Sequence, residues 1–363
     1  MINQLSLPYI HMKEMPCLTE VIQTCYNENI TAEYIKRLQT IALKHKLDNS
    51  YSTDFVNVLI REINNIVNDA IGFSFFEYVE LIHSTYHKKF IDSCVNIGIF
   101  GGNTSNIVTA VKNIFHHTNT TATIETYTID LNSHYKEYTI SQPSANQDIV
   151  FFDIHNMTDN TSVYTEAELC IFHIPVILHN LKQGGDMIIS IEDTYSVAFT
   201  DILFYLNTLF TKVNISRPSI MKMSDTHRYL ICKNLTRYVS SIEISSMCDY
   251  IYSNTIAKGL TNVIKAETRL FKQDIPMFFR HRLDEINCIY GQQILEYTMM
   301  IINNKPHEIF TSTRSRYEQV KDWILAYGEF IPTQMDNTLL KCTIVELLSE
   351  MKDQLSTKDA NES

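Results

Sequence analysis

Leu181-Lys-Gln-Gly-Gly-Asp-Met-Ile-Ile-Ser-Ile191 reads as the end of a helix, a Gly-Gly turn and a short apolar strand. Met187–Ile191 is too brief for a helix and is unbroken by polar alternation, so a strand covered on both faces is expected. The pattern repeats outward from it. Helical spacing covers Thr165–Leu181 before it and Ser196–Phe210 after it. Upstream lie the apolar runs Val95–Phe100, Thr123–Ile129 and Ile149–Asp153, with a helix near Asn106–Phe115; downstream lie Val213–Ile215 and Tyr229–Cys232. Strands alternating with helices predict an α/β fold, a Rossmann-like, mostly parallel sheet with helices on both faces. The strand order should reverse at the carboxyl end of the strand that finishes at Phe100.

Helical regions flank this part on both sides. Residues 1–90 carry apolar residues at helical spacing (Ile35, Leu38, Ile41, then Phe55, Val58, Leu59, Ile63, Ile66) and an aromatic helix over Phe75–Phe90. The sheet domain occupies residues 91–240. Strands are expected to stop after about Ile242, leaving a helical C-terminal region over residues 241–355. Its helices are Met247–Ile264, Pro276–Ile302, Ser315–Tyr327 with the one tryptophan, Trp323, and Leu339–Leu355. The polar residues 356–363 read as a disordered tail.

Composition narrows the function classes. The chain of 363 residues has a 45 % apolar share, enough for a large core, and a net charge of −11. Phosphate contacts dominate unaided nucleic-acid binding, so any grip on RNA must be local or supplied by a partner. The eight cysteines contain no C-x-x-C pair, which fits neither a disulfide framework nor a zinc site, and no metal is expected. The N-terminus has no basic segment followed by an apolar run, and His173 and His179 break the longest apolar stretch. An intracellular, cytoplasmic protein with no membrane partner is therefore expected.

Three segments carry candidate chemistry. Asn96-Ile-Gly-Ile-Phe-Gly-Gly-Asn-Thr-Ser105 ends a strand and opens a helix; Gly98, Gly101 and Gly102 there would let a backbone approach a ligand, and an ordinary tight turn explains them as well. Asp130 closes the next strand, where an acid can accept both ribose hydroxyls or simply face solvent. Asp148-Ile-Val-Phe-Phe-Asp153 delivers Asp153 to the sheet's carboxyl edge, where ligands of open α/β sheets bind.

The last segments are the most specific. Lys182-Gln-Gly-Gly185 and the run from Arg217-Pro218 through Ser224-Asp-Thr-His-Arg-Tyr-Leu-Ile-Cys-Lys233 resemble the FtsJ-like family of S-adenosylmethionine-dependent RNA ribose 2′-O-methyltransferases. The resemblance covers residues 94–235, and the flanking helical parts resemble larger viral members in layout. It implies that Gly98, Gly101 and Gly102 line the cofactor site, with Asp130 on its ribose. It also implies that Asp153 is the aspartate of a catalytic Lys-Asp-Lys-Glu tetrad.

Departures from the family pattern accompany the likeness. Asn96 replaces an acid, Gly101 a proline and Asn103 a glycine. Ser190 stands at the central lysine and His227 at the glutamate; only Lys88 and Lys89 precede the glycine loop at a distance suited to the first lysine. In the family a lysine of lowered pKa takes the ribose proton, a role serine cannot fill unaided. His227, or Glu192 on the strand face of Ser190, can accept a proton instead.

Three functions follow. One is a degenerate, non-catalytic subunit of an RNA-modifying assembly, such as one acting on mRNA caps. The second is an active 2′-O-methyltransferase with altered catalytic groups, and the third a nucleotide or small-molecule binder that kept only the fold. Cofactor binding is expected to be weak or lost. The partners expected are RNA, another RNA-modifying subunit, and a protein held by the C-terminal helical region.

Overall fold

The computed structural model describes residues 3–8, 10, 18–24, 60–61, 63–65, 71–86, 93–102, 104–128, 146–154, 166–192, 194–221, 226–239, 268–271, 273–302, 316–332 and 337–362. The strands are β1 (Asn3–Ser6), β2 (Leu18–Thr24), β3 (Cys94–Gly101), β4 (Thr121–Thr128), β5 (Gln147–Asp153), β6 (Leu181–Ile191), β7 (Phe210–Arg217), β8 (Arg228–Leu235) and β9 (Thr268–Phe271). The helices are α1 (Phe73–Tyr86), α2 (Ser105–His117), α3 (Glu166–Asn180), α4 (Val197–Leu209), α5 (Met277–Ile302), α6 (Arg316–Tyr327) and α7 (Asn337–Glu362).

Seven strands form one mixed sheet in the order β1-β7-β8-β6-β5-β3-β4, and β2 pairs with β9 in a separate two-stranded sheet. The neighbours β4, β3, β5 and β6 run parallel. Antiparallel β8 sits between β6 and β7, and β1 closes the edge antiparallel to β7. The chain goes from β3 to β4 on one side and returns to β5 on the other, so the order reverses at β3, as the alternation of strands and helices implies.

Both faces of the sheet are buried because its central strands carry unbroken apolar runs, Ile149–Phe152 in β5 and Met187–Ile189 in β6. Along β5, Val150 and Phe152 face α3, α4 and α5, while Ile149 and Phe151 face α1, α2, α6 and α7. The C-terminal region thus wraps the sheet: α5 covers one face, and Trp323 of α6 packs on Phe76 of α1 over the other, with ring centroids 5.2 Å apart. Phe271, Phe279, Tyr290 and Ile294 are buried in this packing, whereas Met277 and Phe278 at the start of α5 are exposed.

Several elements differ from the sequence expectation. Residues 1–90 hold two strands as well as helix: β1 has only four residues, too few to show a period, and forms by adding to the free edge of β7. Strands do not stop at Ile242. β9 follows because buried Asp201 on α4 takes the backbone N–H of Leu270 (2.6 Å) and the Arg269 guanidinium (3.0 Å). Burial raises the Asp201 pKa even so, with those bonds acting against it. The Gly-Gly turn lies inside β6, where the ladder to β5 slips between the pairs Gln147–Leu181 and Ile149–Asp186; Gly184 takes the extra chain at φ +82°. Finally, the tail expected to be disordered continues α7 to Glu362, since no Gly or Pro interrupts the chain after Asn337. The helix expected over 247–264 lies outside the described residues. Among the described residues no helix is long and apolar enough to cross a membrane.

Candidate functional site

The carboxyl ends of β5 and β6 and the start of β8 meet on the sheet face covered by α1. Residues two apart on a strand share a face, so Phe151 and Asp153, Ile188 and Ser190, and Tyr229 and Ile231 all turn toward that helix. Asp153 and Ser190 lie opposite each other in the parallel ladder. The Ser190 hydroxyl donates to Asp153 Oδ1 at 2.9 Å and accepts the amide N–H of Ile154 at 2.8 Å. Both residues are buried, Ser190 completely.

Helix α1 supplies the other half. Its stretch Phe75–Ile82, Phe-Phe-Glu-Tyr-Val-Glu-Leu-Ile, carries no charge except on Glu77 and Glu80, and all eight residues are buried. Spacing of i and i+3 puts both carboxylates on the side facing the sheet. Glu80 accepts the backbone N–H groups of Ser219 (2.9 Å) and Ile220 (3.3 Å), which ties α1 to the chain after β7. Glu77 accepts the Tyr229 hydroxyl at 2.5 Å, and His227 Nε2 approaches it at 4.0 Å. The rings of His227 and Tyr229 meet edge to face, with centroids 4.7 Å apart, and Tyr78 packs on Tyr229 at 5.3 Å.

Burial, then the Glu77 carboxylate, raises the Tyr229 pKa well above its usual range; burial followed by Asp153 and Glu77 does the same for Tyr78. Both phenols therefore stay neutral, and that of Tyr229 donates to Glu77. Burial also raises Glu80, against the stabilising effect of its two amide bonds.

The structure thus brings Asp153, Ser190 and His227 into one buried network. It adds Glu77, Tyr78 and Tyr229, which the sequence reading did not assign to the site. The available signal was a pair of acids in an otherwise apolar helix, because such charges need partners when buried. Gly101 lies beside Asp153, its ladder partner. Gly98 is inside β3 and its open side meets Phe100 and Gln147. Gly102 is exposed just beyond β3, and the Asn96 amide donates to Asp148 at 2.8 Å. Glu192 lies past the end of β6, where its amide donates to Glu166. Asp130, Asn103, Lys88 and Lys89 lie outside the described residues.

The Asp153 and Glu77 carboxylates and the Ser190 and Tyr229 hydroxyls are buried and bonded to one another in pairs, so the evident chemistry of this arrangement is to lock α1, β5, β6 and β8 together. No protein-family model matches the sequence, and no curated protein does.

Proposed function

We propose that this chain is a catalytically degenerate member of the FtsJ-like RNA ribose 2′-O-methyltransferase fold, acting as a non-catalytic subunit of an RNA-modifying assembly, with mRNA cap modification as its setting. One observation carries the reading. Where the resemblance calls for the aspartate, the central lysine and the glutamate of a tetrad, this chain presents Asp153, Ser190 and His227, all at most 3 % exposed. A ribose hydroxyl loses its proton only to an accessible base, and loss of one such base lowers a rate by about 10²–10⁴-fold. Glu77 and Asp153 are occupied by Tyr229 and Ser190, so neither is available to a substrate hydroxyl.

The antiparallel strand β8 between β6 and β7 supports the methyltransferase reading, because dinucleotide-binding sheets of the doubly wound kind are mostly parallel. A net charge of −11 fits a subunit that relies on a partner to hold RNA. Exposed Met277 and Phe278 on α5 fit a protein contact in the C-terminal region. The reading implies an intracellular, cytoplasmic and viral setting.

The test is transfer of a labelled methyl group from S-adenosylmethionine to short capped and uncapped RNA, with Asp153→Ala as control. No transfer is expected. Robust transfer by the native chain that disappears in Asp153→Ala would overturn the reading. Affinity capture from the native source should recover a catalytic RNA-modifying subunit, and recovery of none would refute the assembly role.

A further inference from the structure

We infer that the outer face of α5 is a self-association surface, on which a second copy of this chain packs its own α5 antiparallel across a two-fold axis near Cys288 and Ile289. The inference stands apart from the methyltransferase reading. One side of α5 is spent on the sheet, where Phe279, Leu283, Ile286 and Tyr290 are buried in the core. At about 100° per residue, the exposed positions from Phe278 to Met299 fall in a single stripe about 100° wide and about 32 Å long. Four of the seven exposed large apolar side chains among the described residues belong to this helix, which makes it the place where apolar surface concentrates.

The chemistry of the stripe reads alike from either end. In a two-fold contact, residue i of one copy meets residue j of the other while j meets i. Setting Cys288 of one copy against Ile289 of the second puts Phe278 opposite Met299 at both ends, apolar against apolar. The same register sets the imidazole of His281 against the Glu296 carboxylate, and the Gln292 amide against Glu285, a donor against an acceptor each time. Apart from Met277 at the border of the stripe, each exposed side chain among the described ones of α5 thus meets an exposed partner of matching character.

The charge balance permits the approach. The whole chain carries −11, which keeps copies apart, yet α5 sets Arg280 and Arg282 against Asp284, Glu285 and Glu296, a formal charge of −1. Within one copy, Arg282 already donates to Glu285 and Gln292 Nε2 to Glu296 at 2.9 Å, so joining the stripes buries no isolated carboxylate. The stripe is smaller than a standard interface of about 20–30 residues a side, which makes the dimer a weak one, with a Kd on the order of 10–100 µM.

Sedimentation velocity of the full chain from about 1 to 300 µM tests this, beside cross-linking with a short bismaleimide and peptide mapping. A dimer should grow with concentration. Ile289→Glu should weaken it by at least about tenfold, because it sets like charges beside the axis. Cross-links should join Cys288 to Cys288, in preference to the exposed Cys94 and Cys342. His281→Glu should weaken the dimer several-fold, and adding Glu296→Arg should restore it, a rescue that follows only from the antiparallel register. These positions are exposed or half-exposed, and unfolding midpoints equal to the native one establish that the variants fold. A chain monomeric at 300 µM overturns the inference, as does a dimer indifferent to Ile289→Glu, cross-linked at another cysteine or not rescued by Glu296→Arg. If the native chain is monomeric and Ile289→Glu abolishes capture of a different protein, the face belongs to that protein and the inference fails. None of these outcomes bears on methyl transfer, so failure here is distinct from failure of the non-catalytic reading.

Discussion

Ser190→Ala is predicted to destabilise the protein by about 2–4 kcal/mol, although it removes a single oxygen atom. That oxygen accepts the Ile154 N–H and donates to Asp153, in a place with no exposed surface. A buried amide left without an acceptor costs about 1–3 kcal/mol, and a hydrogen bond to a charged group contributes about 1.5–3 kcal/mol. The two terms share one hydroxyl and do not add fully. For a chain of this size 1 kcal/mol corresponds to roughly 2 °C, so the midpoint should fall by about 4–8 °C. Urea and thermal unfolding of native, Ser190→Ala, Asp153→Asn and the double variant measure this directly. The double variant should be less destabilised than the sum of the singles by at least about 1 kcal/mol. A Ser190→Ala cost under about 0.5 kcal/mol, or strict additivity, would refute the view that this pair ties the ends of β5 and β6.

Further outcomes follow from the same structure. Ser190→Lys alone should restore no methyl transfer to short RNA, because an ammonium at this fully buried place is costly to desolvate; labelled RNA above background would contradict this. Burial lowers the His173 pKa from 6.5 to about 4. The unfolded chain therefore takes up this proton first as pH falls: the stabilising contribution is complete above pH 6.5 and is lost on the way down to about 4. It is worth about 3 kcal/mol at most, and His173→Gln should flatten the acid limb of stability against pH over that window. Arg269→Met should cost about 3–5 kcal/mol in urea unfolding, since it strips the guanidinium from the fully buried Asp201 carboxylate.

The sheet was legible because its strands are apolar on both faces and its helices are periodic, so length and spacing sufficed for β3, β5, β6 and α4. Two kinds of feature were not. β1 and β9 have four residues each and exist through tertiary partners, β7 for the one and β2 with Asp201 for the other, none of which leaves a local pattern. The site was half legible. Strand ends and the resemblance pointed to Asp153, Ser190 and His227, which share one buried network, but Glu77 was hidden in a helix whose burial on all sides is a property of packing. Gly98 was read as a ligand-facing glycine, and its open side meets Phe100 of the same strand and Gln147 of β5, contacts that leave no local pattern.

The tetrad positions in the proposed reading have exchanged one demand for another. Catalysis requires groups that are held in place yet accessible, with protons free to move. Packing requires groups that are held and fully bonded. Ser190 joins β5 to β6, Tyr229 with Glu77 joins β8 to α1, and Glu80 fastens α1 to the chain after β7. Each bond lies between elements distant in sequence and so supports the fold itself; the one between Ser190 and Asp153 joins two of the tetrad positions. It follows that Asp153→Ala is an informative activity control only beside its unfolding curve, since it removes a partner of Ser190 whether or not any chemistry occurs. Tyr229→Phe separates the two roles more cleanly. It deletes the bond to Glu77 and keeps the ring packed on Tyr78 and His227, so a large loss of stability with no change in any measured activity marks the network as structural.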